Sequence, residues 1–153
     1  MKIIKITLIL SMMFGFSAAC ESETQVASYN FGCPFSGEGF EQTYHKDDLV
    51  KYEKHLSGGI FDTVEVYLIN DHLEGLDFTS ERSLTNEERG YILDAIHKKY
   101  GKTEYLIYGT YSRDIDKGLL ATVSFMPDSV HNDGKASLLY ISKVLMQRLD
   151  AQQ

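Results

Sequence analysis

The chain has no tryptophan, two prolines and two cysteines among its 153 residues. Without tryptophan, a sugar-stacking platform lacks its usual residue. With two prolines there is no stiff linker between domains. Cysteine is too scarce to anchor a zinc cage. The five histidines, His45, His55, His72, His97 and His131, include no His-x-x-x-His or His-Glu-x-x-His pair. Bases are outnumbered as well, with 15 Lys and Arg against 22 Asp and Glu, a net charge of −7. Phosphate binding rests on clustered bases, so nucleic acid is excluded as a partner. Electrostatic docking on anionic lipid is excluded on the same ground.

Motifs for covalent chemistry are missing too. There is no Gly-x-Ser-x-Gly and no Ser-x-x-Lys. Cys33 would need a histidine to hold a thiolate, and the surroundings of His45, the nearest in sequence, match no cysteine-hydrolase signature. The stretch Gly32 to Gly39 lacks the Lys-Ser/Thr of a phosphate loop. Asp114-x-Asp116-x-Gly118 lacks the third acid and final Glu of a calcium loop, and reads as a hairpin turn. Asp62 with Glu65, a nominal carboxylate pair, belongs to a solvated strand face. No catalytic, metal or cofactor-binding residue is nominated, and no cofactor is expected.

What is present begins at the N-terminus. Lys2 and Lys5 precede an uncharged apolar run, Ile6 to Phe16, and Ser17-Ala18-Ala19 supplies small residues at a cleavage point. Residues 1–19 therefore read as a signal peptide, too short to span a bilayer. The 134 residues after it carry 13 bases and 22 acids, a net charge near −9. That length suits one domain with one core.

Cys20 admits two readings. Phe16-Ser-Ala-Ala-Cys20 resembles a bacterial lipoprotein signal, although Ser17 stands where a Leu-like residue is usual. That resemblance implies lipid attachment at Cys20 and membrane anchoring through it. Glu21 resembles the residue that follows the cysteine in outer-membrane lipoproteins. In the alternative, Ser17-Ala18-Ala19 is an ordinary cleavage site, and Cys20 pairs with Cys33 in a soluble periplasmic or secreted chain. The lipid reading is preferred, because a cysteine at the cleavage point is there to be used.

Residues 20–30 read as a polar tether, and 31–153 as a single domain. Asp47 to His55, with acids first and bases last, reads as a short helix. Phe61 to Ile69 alternates Val64, Val66 and Leu68 against Thr63, Glu65 and Tyr67. It pairs across Asn70-Asp71 with a strand from Leu73 to Thr79. Thr85-Asn-Glu-Glu88 is a capping box for a helix over about 86–100, ended by Gly101. Strands are expected over Glu104 to Tyr111 and Leu119 to Met126, joined through Ser112 to Gly118. After a turn-rich stretch from Pro127 to Gly134, Ala136 to Ile141 reads as a strand and Ser142 to Asp150 as a helix. One continuous helix also fits the spacing there.

The expected fold class is α+β: an antiparallel sheet of about 4–5 strands (hairpin, helix, β-meander) with helices packed on one face. Val64, Val66, Phe78, Ile92, Ile96, Val123 and Phe125 should share one core. The segment from Thr85 to Gly101 with the hairpin and strand–helix behind it resembles small uncharacterised bacterial lipoproteins and exported proteins. Functionally, these features point to a non-enzymatic envelope protein that binds a protein partner, as an assembly factor, inhibitor or immunity-type protein. Tyr100, Tyr105, Tyr108 and Tyr111 are the candidate interface aromatics, although tyrosine is also a good strand residue and that reading is preferred for them. The alternatives are a small envelope hydrolase whose site forms only on folding, and a periplasmic small-ligand binder.

Overall fold

The computed structural model describes residues 20, 24–107, 109–116, 118–125 and 135–152. The leader, Tyr108, His131 and the turn-rich Pro127 to Gly134 lie outside these residues.

The chain opens with a two-stranded ribbon, β1 (Gln25–Val26) and β2 (Tyr29–Asn30), turned by Ala27 and Ser28 at positive φ. Two hairpins follow. The first joins β3 (Glu41–Lys46) to β4 (Leu49–His55), the second β5 (Thr63–Ile69) to β6 (His72–Ser83). Helix α1 (Asn86–Tyr100) leads to β7 (Glu104–Tyr105), β8 (Thr110–Asp116), β9 (Leu119–Phe125), β10 (Lys135–Ser142) and α2 (Lys143–Asp150). The strands form one eight-stranded antiparallel sheet in the order β3-β4-β5-β6-β10-β9-β8-β7.

This corrects the expected fold class. Among the described residues the protein is mostly β, with 51% strand and 19% helix, and its sheet has eight strands rather than four or five. The helices also lie on opposite faces. Ile92 and Ile96 of α1 join Val64, Val66, Leu76, Val123, Phe125 and Leu138 in the main core, with Phe78 packed against it. Leu145 of α2 joins Leu49, Ile69 and Ile141 on the reverse face. The seven core residues chosen from the sequence do meet.

Three local readings are corrected with it. Residues 47–55 form a hairpin turn and strand, not a helix. Asp47 takes φ 56°, Leu49 to His55 pair with β5, and Leu49 to Glu53 pair with β3 as well. Pairing on both edges overrides the helix-like charge order. Residues 104–111 are not one strand. Gly109, at φ 72°, breaks the run, and a turn is closed by Leu106 N–H to Thr110 O (2.8 Å) and Thr110 N–H to Ile107 O (2.9 Å). Strand β8 therefore occupies most of the segment expected to be a link. The C-terminal segment is strand then helix, with Ser142 capping α2.

Residues 25–30 do not hang free. Val26 is 1% exposed, and Phe31 joins the core. The segment behind them is stitched to the start of β6 by Gly32 N–H to Leu73 O (2.8 Å) and Leu73 N–H to Cys33 O (2.9 Å). Together with α1, this N-terminal segment covers one face of the sheet. Helix α2, at eight residues, covers only one end of the other. It seats where Gly75 leaves room, since a Cβ there would lie 2.5 Å from Leu145 Cδ2.

The capping box is complete: Glu88 N–H donates to Thr85 Oγ1 and Thr85 N–H to Glu88 Oε2. Thr85→Ala should lower stability by about 1 kcal/mol. A urea-denaturation midpoint unchanged from wild type would show that the cap does not hold the helix.

Candidate functional site

The face that α2 leaves open is built by register. Glu41 stands opposite Glu53, Glu53 opposite Glu65, and Glu65 opposite Asp77. Four neighbouring strands thus place carboxylates side by side in one row, at a strand spacing of about 4.8 Å. Glu81 and His55 lie beside the row, His55 Nδ1 being 3.9 Å from Glu81 and its Nε2 3.9 Å from Glu53. Lys51 donates to Glu65 (3.3 Å) and lies over the Tyr67 ring, whose hydroxyl donates to the same carboxylate at 2.7 Å. Five carboxylates therefore face one lysine and one histidine.

Like charges directly opposite each other destabilise a sheet. Asp77 shows the strain. Burial raises its pKa above the ordinary carboxylate value, the Ser137 hydrogen bond (2.6 Å) lowers it, and the Glu65 charge raises it further. Burial and Glu65 likewise raise the Tyr67 hydroxyl. One level along the strands the row turns to hydroxyls: Thr63, Thr79, Ser137, Ser124 and Thr110 stand successively opposite one another. Thr110 Oγ1 and Ser124 Oγ are 3.3 Å apart. Beyond the apolar patch under α2, this face is lined by acids and hydroxyls.

Sequence reasoning named Glu65 only as part of a carboxylate pair, and the structure parts the two. Asp62 accepts Glu81 N–H at 2.7 Å at the strand end, away from the row. Glu41, Glu53 and Asp77 were missed. Their one signal is the 12-residue interval shared by all four, which becomes meaningful only once hairpin register is known. Of the described candidate tyrosines, Tyr105 and Tyr111 meet edge to face at 5.3 Å, Tyr105 exposed and Tyr111 packed against Phe125 at 6.2 Å, while Tyr100 lies apart in the core against Tyr140 at 6.3 Å.

On the other face, a groove of about 390 Å³ runs between α1 and the Gly59–Phe61 loop, with Ile92, Ile96, Leu138 and Tyr140 among its lining. Its walls are apolar, with Lys99 at its margin. The Tyr100 hydroxyl is buried beside it without a hydrogen-bond partner. His97 Nε2 lies 2.7 Å from Thr103 Oγ1, an arrangement that ties the end of α1 to the following turn. Among the described residues no third group orients that histidine, and no cluster of three His, Cys, Asp or Glu side chains could hold a metal. Asp114 and Asp116 lie on β8, where Asp116 accepts from Thr24 Oγ1 at 3.1 Å.

Cys20 is joined to Cys33, their Cα atoms 5.7 Å apart. A thiol in that bridge is not open to a lipid thioether, so the two sequence readings of Cys20 describe mutually exclusive forms.

The raised Asp77 pKa sets a pH dependence. Folding favours the protonated group, so its contribution is fully present at low pH. It is lost as pH climbs from the ordinary carboxylate range through the raised value. Asp77→Asn keeps an acceptor for Ser137 and removes that loss. Its urea midpoint should exceed wild type at pH 7 and converge with it near pH 3. A lower midpoint at pH 7 would show that the ionised carboxylate is stabilising.

No family model, no curated protein and no solved structure matches this chain. Its activity is read from its own surfaces.

Proposed function

We propose that this is a non-enzymatic, exported interaction domain that binds a basic protein surface through the acidic sheet face. The carboxylate row Glu41–Glu53–Glu65–Asp77 carries the reading. Opposed like charges cost the free protein stability, and a partner's lysines and arginines would relieve them. The neighbouring hydroxyls add adaptable donors and acceptors. Such a face suits an assembly factor, an inhibitor or an immunity-type protein.

The apolar groove favours a second reading, a small-ligand binder. It ranks lower because ligand sites combine apolar walls with a few converging polar groups, and among the described residues this groove has tyrosines and a single charged lining residue, Lys99. An envelope hydrolase finds less support, since among the described residues no histidine is held between a nucleophile and an orienting acid.

Export is supported by the leader read from residues 1–19 and by the Cys20–Cys33 bridge, which suits an oxidising compartment. The bridge favours the soluble form over the lipid-anchored one. Intact mass of the mature protein distinguishes them. A chain starting at Cys20, about 2 Da light for one disulfide, fits this proposal. A lipid adduct on Cys20 with Cys33 open to alkylation would make it an anchored lipoprotein.

The binding surface is tested by a pull-down from envelope extract with wild type and with Glu53→Gln/Glu65→Gln as bait. A basic partner should be retained by wild type, released by salt, and lost from the variant. Equal retention by both baits would take the acidic row out of the interface.

A further inference from the structure

The sheet ends differently at its two edges. Strand β7 has two residues and turns back at once into β8. Strand β3 has six, all exposed, and no backbone hydrogen bond from another element reaches its outer side among the described residues. An uncovered edge of that length is a template for another strand.

Its sequence indicates which strand. Read antiparallel against itself, Glu41-Gln-Thr-Tyr-His-Lys46 sets Glu41 opposite Lys46, Gln42 opposite His45, and Thr43 opposite Tyr44. Opposed residues must point to the same face, and positions 41 and 46, an odd number apart, would not do so on a regular strand. The irregularity between Gln42 and Tyr44 changes this. It pairs Glu41 with Glu53 and Lys46 with Leu49, both on the α2 face, while Gln42 and His45 pair with Tyr52 and Val50 on the other. A bulge ordinarily spoils an edge for pairing by adding an unmatched residue. Here the two-fold axis would pass between the two bulged segments, so each copy's extra residue, Thr43, meets the other copy's Tyr44.

We propose that β3 is a homodimerisation edge, joining two copies antiparallel about a two-fold axis into one sheet of sixteen strands. The partner is a second copy of this chain, chosen by reciprocal Glu41–Lys46 pairs. In this arrangement the partner's Lys46 meets the outer end of each carboxylate row. Both copies use the same edge, and the β7 edge offers no comparable strand, so assembly closes at two. Six residues a side make a small interface, and the dimer is correspondingly weak and concentration-dependent.

The test is sedimentation of the mature, oxidised protein from micromolar to near-millimolar concentration. Four samples are compared with wild type: Glu41→Lys, Lys46→Glu, the double swap, and an equimolar mixture of the two single variants. All the altered side chains are exposed, so every variant should fold, and Glu41→Lys, which replaces the Glu41–Glu53 repulsion by attraction, should melt no lower than wild type. Wild type should dimerise. Each single variant should dissociate on the order of tenfold or more readily, because two attractive pairs become repulsive. The double swap should dimerise again, and so should the mixture, in which opposite charges meet once more at both pairs. A monomeric wild type, single variants that associate like wild type, or folded variants that fail to associate on mixing would each overturn the proposal.

Discussion

The pairing of β10 with β6 is the interaction on which the sheet depends. Chain neighbours alone would give two separate four-stranded pieces, β3 to β6 and β7 to β10. Strand β10 joins them by lying between β6 and β9, with Ile141 opposite Gly75 and Leu120. Side chains reinforce the seam. Ser80, 1% exposed, accepts Ala136 N–H at 2.8 Å, and Ser137 donates to Asp77 at 2.6 Å. With the halves joined, Leu138 and Tyr140 complete the core under α1, while Ile141 receives α2 on the reverse.

Much of the local structure was legible in the sequence, and the seam was not. Alternation in Thr63 to Ile69 and the positive-φ pair Asn70-Asp71 announce a hairpin on their own. The Thr85–Glu88 box announces a helix. Both signals lie within a few residues. Strand β4 was misread because Asp47-Asp48 and Lys51 to His55 carry the charge order of a helix, and only β3 and β5 on either side decide otherwise. The β6–β10 seam joins residues 52 to 66 positions apart, from Lys135 opposite Ser83 to Ile141 opposite Gly75, and no periodicity encodes such a partner. Counting strands by hairpins therefore undercounts the sheet.

The candidate site was obscured for the same reason. Glu41, Glu53, Glu65 and Asp77 are ordinary singly in an acidic chain, and they become one row through three successive registers. The face remains open because α2 has eight residues and Leu145 anchors it at Gly75, at one end of the sheet. The opposite face has both α1 and the N-terminal ribbon to cover it. The two faces thus differ in use, one given to the core and one to solvent.

The seam also sets the order of folding. Strand β10 follows the other nine strands in sequence and fills the central gap, so β6 and β9 keep unpaired edges until it arrives. Long-range strand pairing of this kind is slow, and open edges in the interim invite aggregation. A chain threaded through a membrane from its N-terminus would complete its sheet only after β10 had emerged. During that interval it would offer a holding chaperone two bare strand edges that the finished molecule no longer has.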